Sequence, residues 1–147
     1  MLTQKLLSRL KNASAVTVLS GAGISEDSGV PTFRGKDGLW ENKKVVEIAT
    51  PQTLKSNPDL FWKFYNWRKK LINEVKPNLG HYALVDFERI YDDFLLVTQN
   101  VDNLHREAGN KKIIELHGNL FRIKCEDCNQ SYIDPISENL QMPICKS

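Results

Sequence analysis

No stretch of this 147-residue chain is apolar for long enough to span a bilayer, and no signal-peptide core precedes its first apolar segment, so neither insertion nor secretion is expected. Charge of one sign is equally scarce. Twenty Lys and Arg against eighteen Asp and Glu leave a net charge of +2, and the longest basic runs are the pairs Lys43-Lys44, Lys69-Lys70 and Lys111-Lys112. Pairs of this kind read as solvated faces, and no nucleic-acid contact is implied. Cysteine is limited to three residues, all in the last quarter, which excludes a disulfide framework. Internal repeats and low-complexity segments are missing as well. With 41% hydrophobic residues, the chain is long enough for one core.

A further lack is more specific. Residues 20–34 form a glycine-rich stretch directly after the apolar run Val16-Thr17-Val18-Leu19, the usual setting of a phosphate-binding turn. Gly21 and Gly23 let the backbone approach a ligand, and Ser25 with the amides that follow can open a helix whose positive end faces an anion. The dinucleotide fingerprint of dehydrogenases is not met, because its third glycine would fall at Glu26. Nor does a second strand ending in an acidic residue appear about 20 residues later. The next strongly apolar strand is Phe94-Leu95-Leu96-Val97, so hydride transfer is a poor reading.

What is present fits an α/β architecture. The pattern predicts a helix over 2–11, a strand over 15–19, a helix from about 25, a loop over 31–42 and helical pieces from about 43 to 90. A strand over 94–98, a helix within 100–108 and a strand over 112–116 follow. Three apolar strands separated by helical stretches imply a Rossmann-like parallel sheet. The interval between the first two strands reads as an inserted helical module at 36–90, since its periodic apolar residues do not suit a loop. On the helix from about Leu60 to Val75, Phe61, Phe64, Tyr65, Leu71, Ile72 and Val75 mark an apolar stripe, and Arg68 lies on it where an aliphatic residue belongs. An inward guanidinium needs an anion, although a surface-reaching side chain or a structural ion pair would also account for it.

Thr98-Gln99-Asn100-Val101-Asp102 places amides and a carboxylate at the carboxyl end of a strand, where ligands of such sheets bind. Ile113-Ile114-Glu115-Leu116-His117-Gly118 repeats the arrangement. His117 is read as ending a buried strand and facing the glycine turn; His81 reads as structural and His105 as capping or packing its loop. Cys125-x-x-Cys128 has the spacing of a metal knuckle, and Cys145 offers a third thiol. The fourth ligand of a tetrahedral site would lie in the position of a second knuckle, just past the end of the sequence.

Taken together, Gly21-Ala22-Gly23-Ile24-Ser25, Gly29-Val30-Pro31-Thr32-Phe33-Arg34, the Thr98–Asp102 segment, His117-Gly118 and Cys125-x-x-Cys128 resemble, in order, the motifs of the sirtuin family of NAD-dependent protein deacylases. The resemblance covers essentially the whole chain. It implies a single domain over 1–147, incomplete at its carboxyl end, with 119–147 as part of a small zinc-binding module. Its implied chemistry is removal of acyl groups from lysine in proteins or peptides, with NAD consumed and nicotinamide and O-acyl-ADP-ribose released. His117 is then the general base. Asp102 and the Val101 backbone hold the nicotinamide carboxamide, and Gln99 and Asn100 contact the nicotinamide ribose. Gly21, Ala22, Gly23, Ser25, Phe33 and Arg34 line the nucleotide site, with Phe33 shielding the reactive carbon. Cys125, Cys128 and Cys145 hold a structural Zn2+.

Within the family, Tyr65-Asn66-Trp67-Arg68 and the small Ala49 resemble the desuccinylase and demalonylase subgroup. Arg68 and Tyr65 would meet the carboxylate of a succinyl or malonyl group and Ala49 would open its pocket. Two other readings stay open at this point, a non-catalytic NAD-binding sirtuin fragment and a sirtuin-like NAD hydrolase. The short leader before the first strand points to a cytoplasmic location.

Overall fold

The computed structural model describes residues 3–31, 47–134, 142–145 and 147. The first helix, α1 (Gln4–Lys11), starts at Thr3, whose side chain accepts from the Leu6 amide, and runs into strand β1 (Ala15–Ser20). A single helical turn, α2 (Gly23–Glu26), follows the glycines. This corrects one expectation. With only four residues the turn carries little of a helix dipole, and Ser25 lies inside it rather than at its cap.

Three helices whose full extent lies among the described residues follow before the second strand. Helix α3 (Pro51–Ser56) is capped by the Thr50 hydroxyl, and α4 (Pro58–Asn73) by the Asn57 side chain. Each places proline at its first turn, where a missing amide hydrogen costs nothing. Helix α5 (Leu79–Ile90) begins with a reciprocal cap. The Asn78 side chain accepts from the Gly80 amide, and the Asn78 amide donates to His81 Nδ1 at 3.2 Å. Beyond α5 come β2 (Asp93–Thr98), the short helix α6 (Leu104–Ala108), β3 (Ile113–Glu115) and a hairpin of β4 (Arg122–Lys124) and β5 (Ser131–Ile133).

The main sheet is parallel in the order β1-β2-β3, and β4 and β5 form a separate antiparallel pair. Along β2 burial alternates: Phe94, Leu96 and Thr98 point into the core while Asp93, Leu95 and Val97 are more open. Helix α5 packs on the strand and on α6, and Val85, Leu96 and Leu104 fill the space. The register decides where function can sit. Ser20 pairs with Thr98, and Thr98 with Glu115, so the carboxyl ends of all three strands line up and their loops leave from one edge.

One side chain on α4 departs from its expected surroundings. Lys69, read from sequence as part of a solvated pair, is 1% exposed and forms an ion pair with Asp134, just after β5, with its ammonium over the Trp62 ring at 5.9 Å. A lysine buried this deeply needs such a partner, because desolvating the ammonium alone costs several kcal/mol. The pair therefore ties the hairpin to α4. The expectation that β3 is a buried strand is also corrected. Its residues are half-buried or exposed, and His117 beyond it is exposed.

Candidate functional site at the carboxyl edge of the sheet

The loops that leave the sheet edge carry most of the residues singled out by sequence, and hydrogen bonds lock them to one another. Ser25 is the hub of one cluster. Its hydroxyl donates to Asp102 Oδ2 at 2.7 Å and accepts from Asn100 Nδ2 at 3.1 Å. His81 completes it. Because Nδ1 accepts from the Asn78 amide, the neutral ring carries its proton on Nε2, which faces the Ser25 hydroxyl at 3.5 Å. The Ser25 oxygen thus has one acceptor and two donors, the full complement of a hydroxyl. Asn100 also donates to the Gly21 carbonyl at 3.1 Å, and Asp102 Oδ1 accepts from the Leu104 amide at 3.0 Å.

A second chain runs beneath the first. His105 Nε2 lies 2.9 Å from the Ser20 hydroxyl, which donates to Thr98 Oγ1 at 2.8 Å; the same Thr98 oxygen accepts from the Asn100 amide at 3.1 Å. The two imidazoles meet at a tilt of 58° with centroids 4.8 Å apart. Sequence reasoning assigned no individual role to Ser20, Asn78 or Thr98. A signal for the last two existed: Asn78 stands three residues before His81 at a helix start, and Thr98 is the polar end of an alternating buried strand.

Both histidines are kept neutral. Burial pushes the His81 pKa down, opposed by Asp102. At His105 burial, aided by the neighbouring His81, lowers the pKa to about 4 against the attraction of Asp102. Geometry agrees, since His105 Nδ1 is buried with no hydrogen-bond partner among the described residues, and a proton placed there would find no acceptor. The sign of the linkage follows. An unfolded histidine titrates near 6.5 and the folded one near 4, so the unfolded chain binds more protons between those values. The contribution is complete above pH 6.5 and is lost as pH falls toward 4; it amounts to about 3 kcal/mol. Denaturant unfolding at pH 7.0 and pH 4.5 tests this. His105→Gln should lose clearly less stability between the two pH values than the parent protein.

Around the glycine turn, the backbone has room for a ligand. Among the described residues, a Cβ built on Gly23 meets nothing within 4 Å, and one on Gly21 meets only Gln99 Nε2 at 3.9 Å. Gln99 is held through its amide to the Ser20 carbonyl, and the Val101 carbonyl accepts from the Leu120 amide. Ala22 is the residue immediately before α2. Asp102 is 5% exposed and accepts two hydrogen bonds among the described residues, from Ser25 and Leu104. Phe33 and Arg34 lie outside the described residues.

On α4, Arg68 is inside the protein at 7% exposure, with its guanidinium carbon 5.9 Å from the Phe64 ring centroid. Burial lowers its pKa, and Tyr65 and Asp102 both draw charge back onto it. The attraction by Asp102 relates this side of α4 to the loop after β2. Tyr65 packs on Phe61 with centroids 4.5 Å apart, and the half-buried Ala49 precedes the Thr50 cap of α3.

The three cysteines converge, with their Sγ atoms all within 4.8 Å of one another. Cys128 and Cys145 are 3.6 Å apart, and hydrogen bonds from the Ser147 and Tyr132 hydroxyls lower the Cys145 pKa to about 6. Three thiols at this separation suit zinc, to which they would supply three of four tetrahedral ligands.

A glycine turn, an amide and carboxylate loop and a strand-end histidine meet at the carboxyl edge of a parallel sheet, where α/β proteins of this class bind their ligands. The Sir2 family model matches residues 21–146, and the chain belongs to that family, the sirtuins. It is 52% identical over 124 residues to an NAD-dependent protein deacylase of Leptospira interrogans, covering 84% of this chain and 50% of the relative. It is 55% identical over 125 residues to the protein of that name from Pyrococcus abyssi, covering 85% and 49%. Among solved structures, a mutant Sir2 homologue in complex with ADP-ribose superposes with TM-score 0.90 at 38% identity, over 99% of this chain and 59% of the other. A Sir2 homologue in complex with NAD gives 0.87 at 39% identity, over 99% and 57%. The chain thus spans about half the length of the curated relatives it matches.

Proposed function

We propose that the protein is an NAD-dependent protein-lysine deacylase. The observation that carries this reading is the alignment of Ser20, Thr98 and Glu115 across the sheet. It brings the glycine turn, the Gln99–Asp102 loop and the turn bearing His117 to one edge, and relatives about half identical to the chain are named for this activity. NAD supplies a ribose carbon that exchanges nicotinamide for the acyl oxygen of the lysine substrate. Gly21, Ala22 and Gly23 would meet its phosphates with their backbone. Ser25, saturated by protein partners, acts by fixing Asn100 and Asp102, which contact the ribose and the carboxamide. His117 takes the ribose proton, a task for which an imidazole on a solvent-reached turn is suited. The thiols of Cys125, Cys128 and Cys145 hold zinc as a structural ion, away from this edge. A thiolate site of that kind requires a reducing compartment, and a cytoplasmic location belongs to the same proposal.

The finer reading is that succinyl- and malonyl-lysine are substrates as well as acetyl-lysine. A buried Arg68 one turn after Tyr65 favours it, since a carboxylate-bearing acyl group offers an anion that a guanidinium on this face can hold by charge-assisted hydrogen bonds. An NAD hydrolase would have no use for that side chain. The test is mass spectrometry of acyl-lysine peptides incubated with the intact protein. Loss of the acyl group only when NAD is present supports the proposal, and loss without NAD contradicts it.

A further inference from the structure

We propose that Glu115 is a positioning residue that holds the His117 turn and the Asp102 loop in one fixed relation. The proposal rests on the deacylase reading and names how its general base is kept in place. Glu115 ends β3, and its side chain is 7% exposed. Four donors converge on its two oxygens. Oε1 accepts from Arg106 Nε at 3.0 Å and from Asn119 Nδ2 at 2.7 Å; Oε2 accepts from Arg106 Nη2 at 3.3 Å and from Arg122. All the lone-pair positions of the carboxylate are thereby used. Its backbone carbonyl accepts from the Gly118 amide, so the turn that carries His117 is closed on both sides of the histidine by groups of one residue. Gly118 has φ of 76°, which lets the chain reverse there without a Cβ in the way.

The same cluster reaches the other loop. Asn119 Nδ2 donates to Asn103 Oδ1 at 2.8 Å, and the Leu120 amide donates to the Val101 carbonyl at 2.9 Å. Asn103 adopts a left-handed conformation, φ 68°, directly after Asp102. Arg106 comes from α6 and Arg122 from β4, so one carboxylate joins the end of the sheet, the helix after the Asp102 loop and the first strand of the cysteine hairpin. Two guanidinium groups share a single anion here. Neutralising that anion would leave them facing one another, and the cluster would open.

The expected consequence is a split between steps. Release of nicotinamide needs no base, whereas acyl transfer onto the ribose hydroxyl needs His117 in place. In the intact protein, Glu115→Gln should lower kcat for acyl transfer by roughly 10- to 100-fold, the scale of a misplacement of about 1 Å. The KM for NAD and the exchange of labelled nicotinamide into NAD should change by less than about threefold. Asn119→Ala, which removes the contact to Asn103 and one bond to Glu115 but leaves both arginines paired, should move in the same direction by a smaller factor. Unchanged kcat in both variants overturns the proposal. So does a parallel loss of acyl transfer and nicotinamide exchange, or a failure of both variants to unfold cooperatively, because Glu115 would then be supporting the fold alone. His117→Ala, measured alongside, separates the two levels: if it stays active, the general-base reading fails and Glu115 with it, whereas an inactive His117→Ala beside a fully active Glu115→Gln removes only the positioning role.

Discussion

Replacing Arg68 by methionine is expected to cost roughly 2–4 kcal/mol in kcat/KM for succinyl-lysine, about 30-fold to several-hundred-fold, and much less for acetyl-lysine. The reason is the position of the guanidinium. At 7% exposure on the inner face of α4 it is mostly stripped of water, and burial lowers its pKa even though Tyr65 and Asp102 attract its charge. A substrate carboxylate would add a partner worth far more there than in water. Methionine keeps an unbranched apolar stem and removes the charge and the donors. Matched succinyl and acetyl peptides, measured with both forms of the intact protein, give the answer. Equal losses on the two substrates would mean that Arg68 serves mainly to hold its surroundings, with Asp102 among them, and the acyl-selectivity reading would fall.

The second large effect is expected at His117. Its removal should lower kcat for deacylation by about 10²–10⁴-fold, the usual worth of a positioned general base. His117 is exposed on the turn after β3, so His117→Ala empties no core and leaves the unfolding midpoint nearly unchanged. Steady-state kinetics with an acyl-lysine peptide, together with a thermal melt, check both statements. A loss below about tenfold in a folded variant would contradict the assignment.

The sheet was legible because strand periodicity is a local property. Val16–Leu19, Phe94–Val97 and Ile113–Glu115 are short apolar runs bounded by turn residues, and all three are found as parallel strands. The family motifs at the strand ends could be read for the same reason. What stayed hidden depends on contacts between segments far apart in the chain. Nothing near Lys69 announces that Asp134, 65 residues later, will neutralise it, so its pairing with Lys70 suggested a solvated face. His81 and His105 each looked bland alone, and only the fold brings their rings together and connects them to Ser25 and Ser20. The helix expected after the glycines proved to be a single turn, because Gly29, at φ 91°, takes a backbone conformation in which a helix cannot continue.

Product identity tests the central claim most directly. When the intact protein is incubated with NAD and an acyl-lysine peptide and the products are resolved by mass spectrometry, the proposed chemistry predicts nicotinamide and O-acyl-ADP-ribose in equal amounts, matched by free lysine in the peptide. Nicotinamide and plain ADP-ribose formed at the same rate without the peptide would show an NAD hydrolase instead and contradict the account.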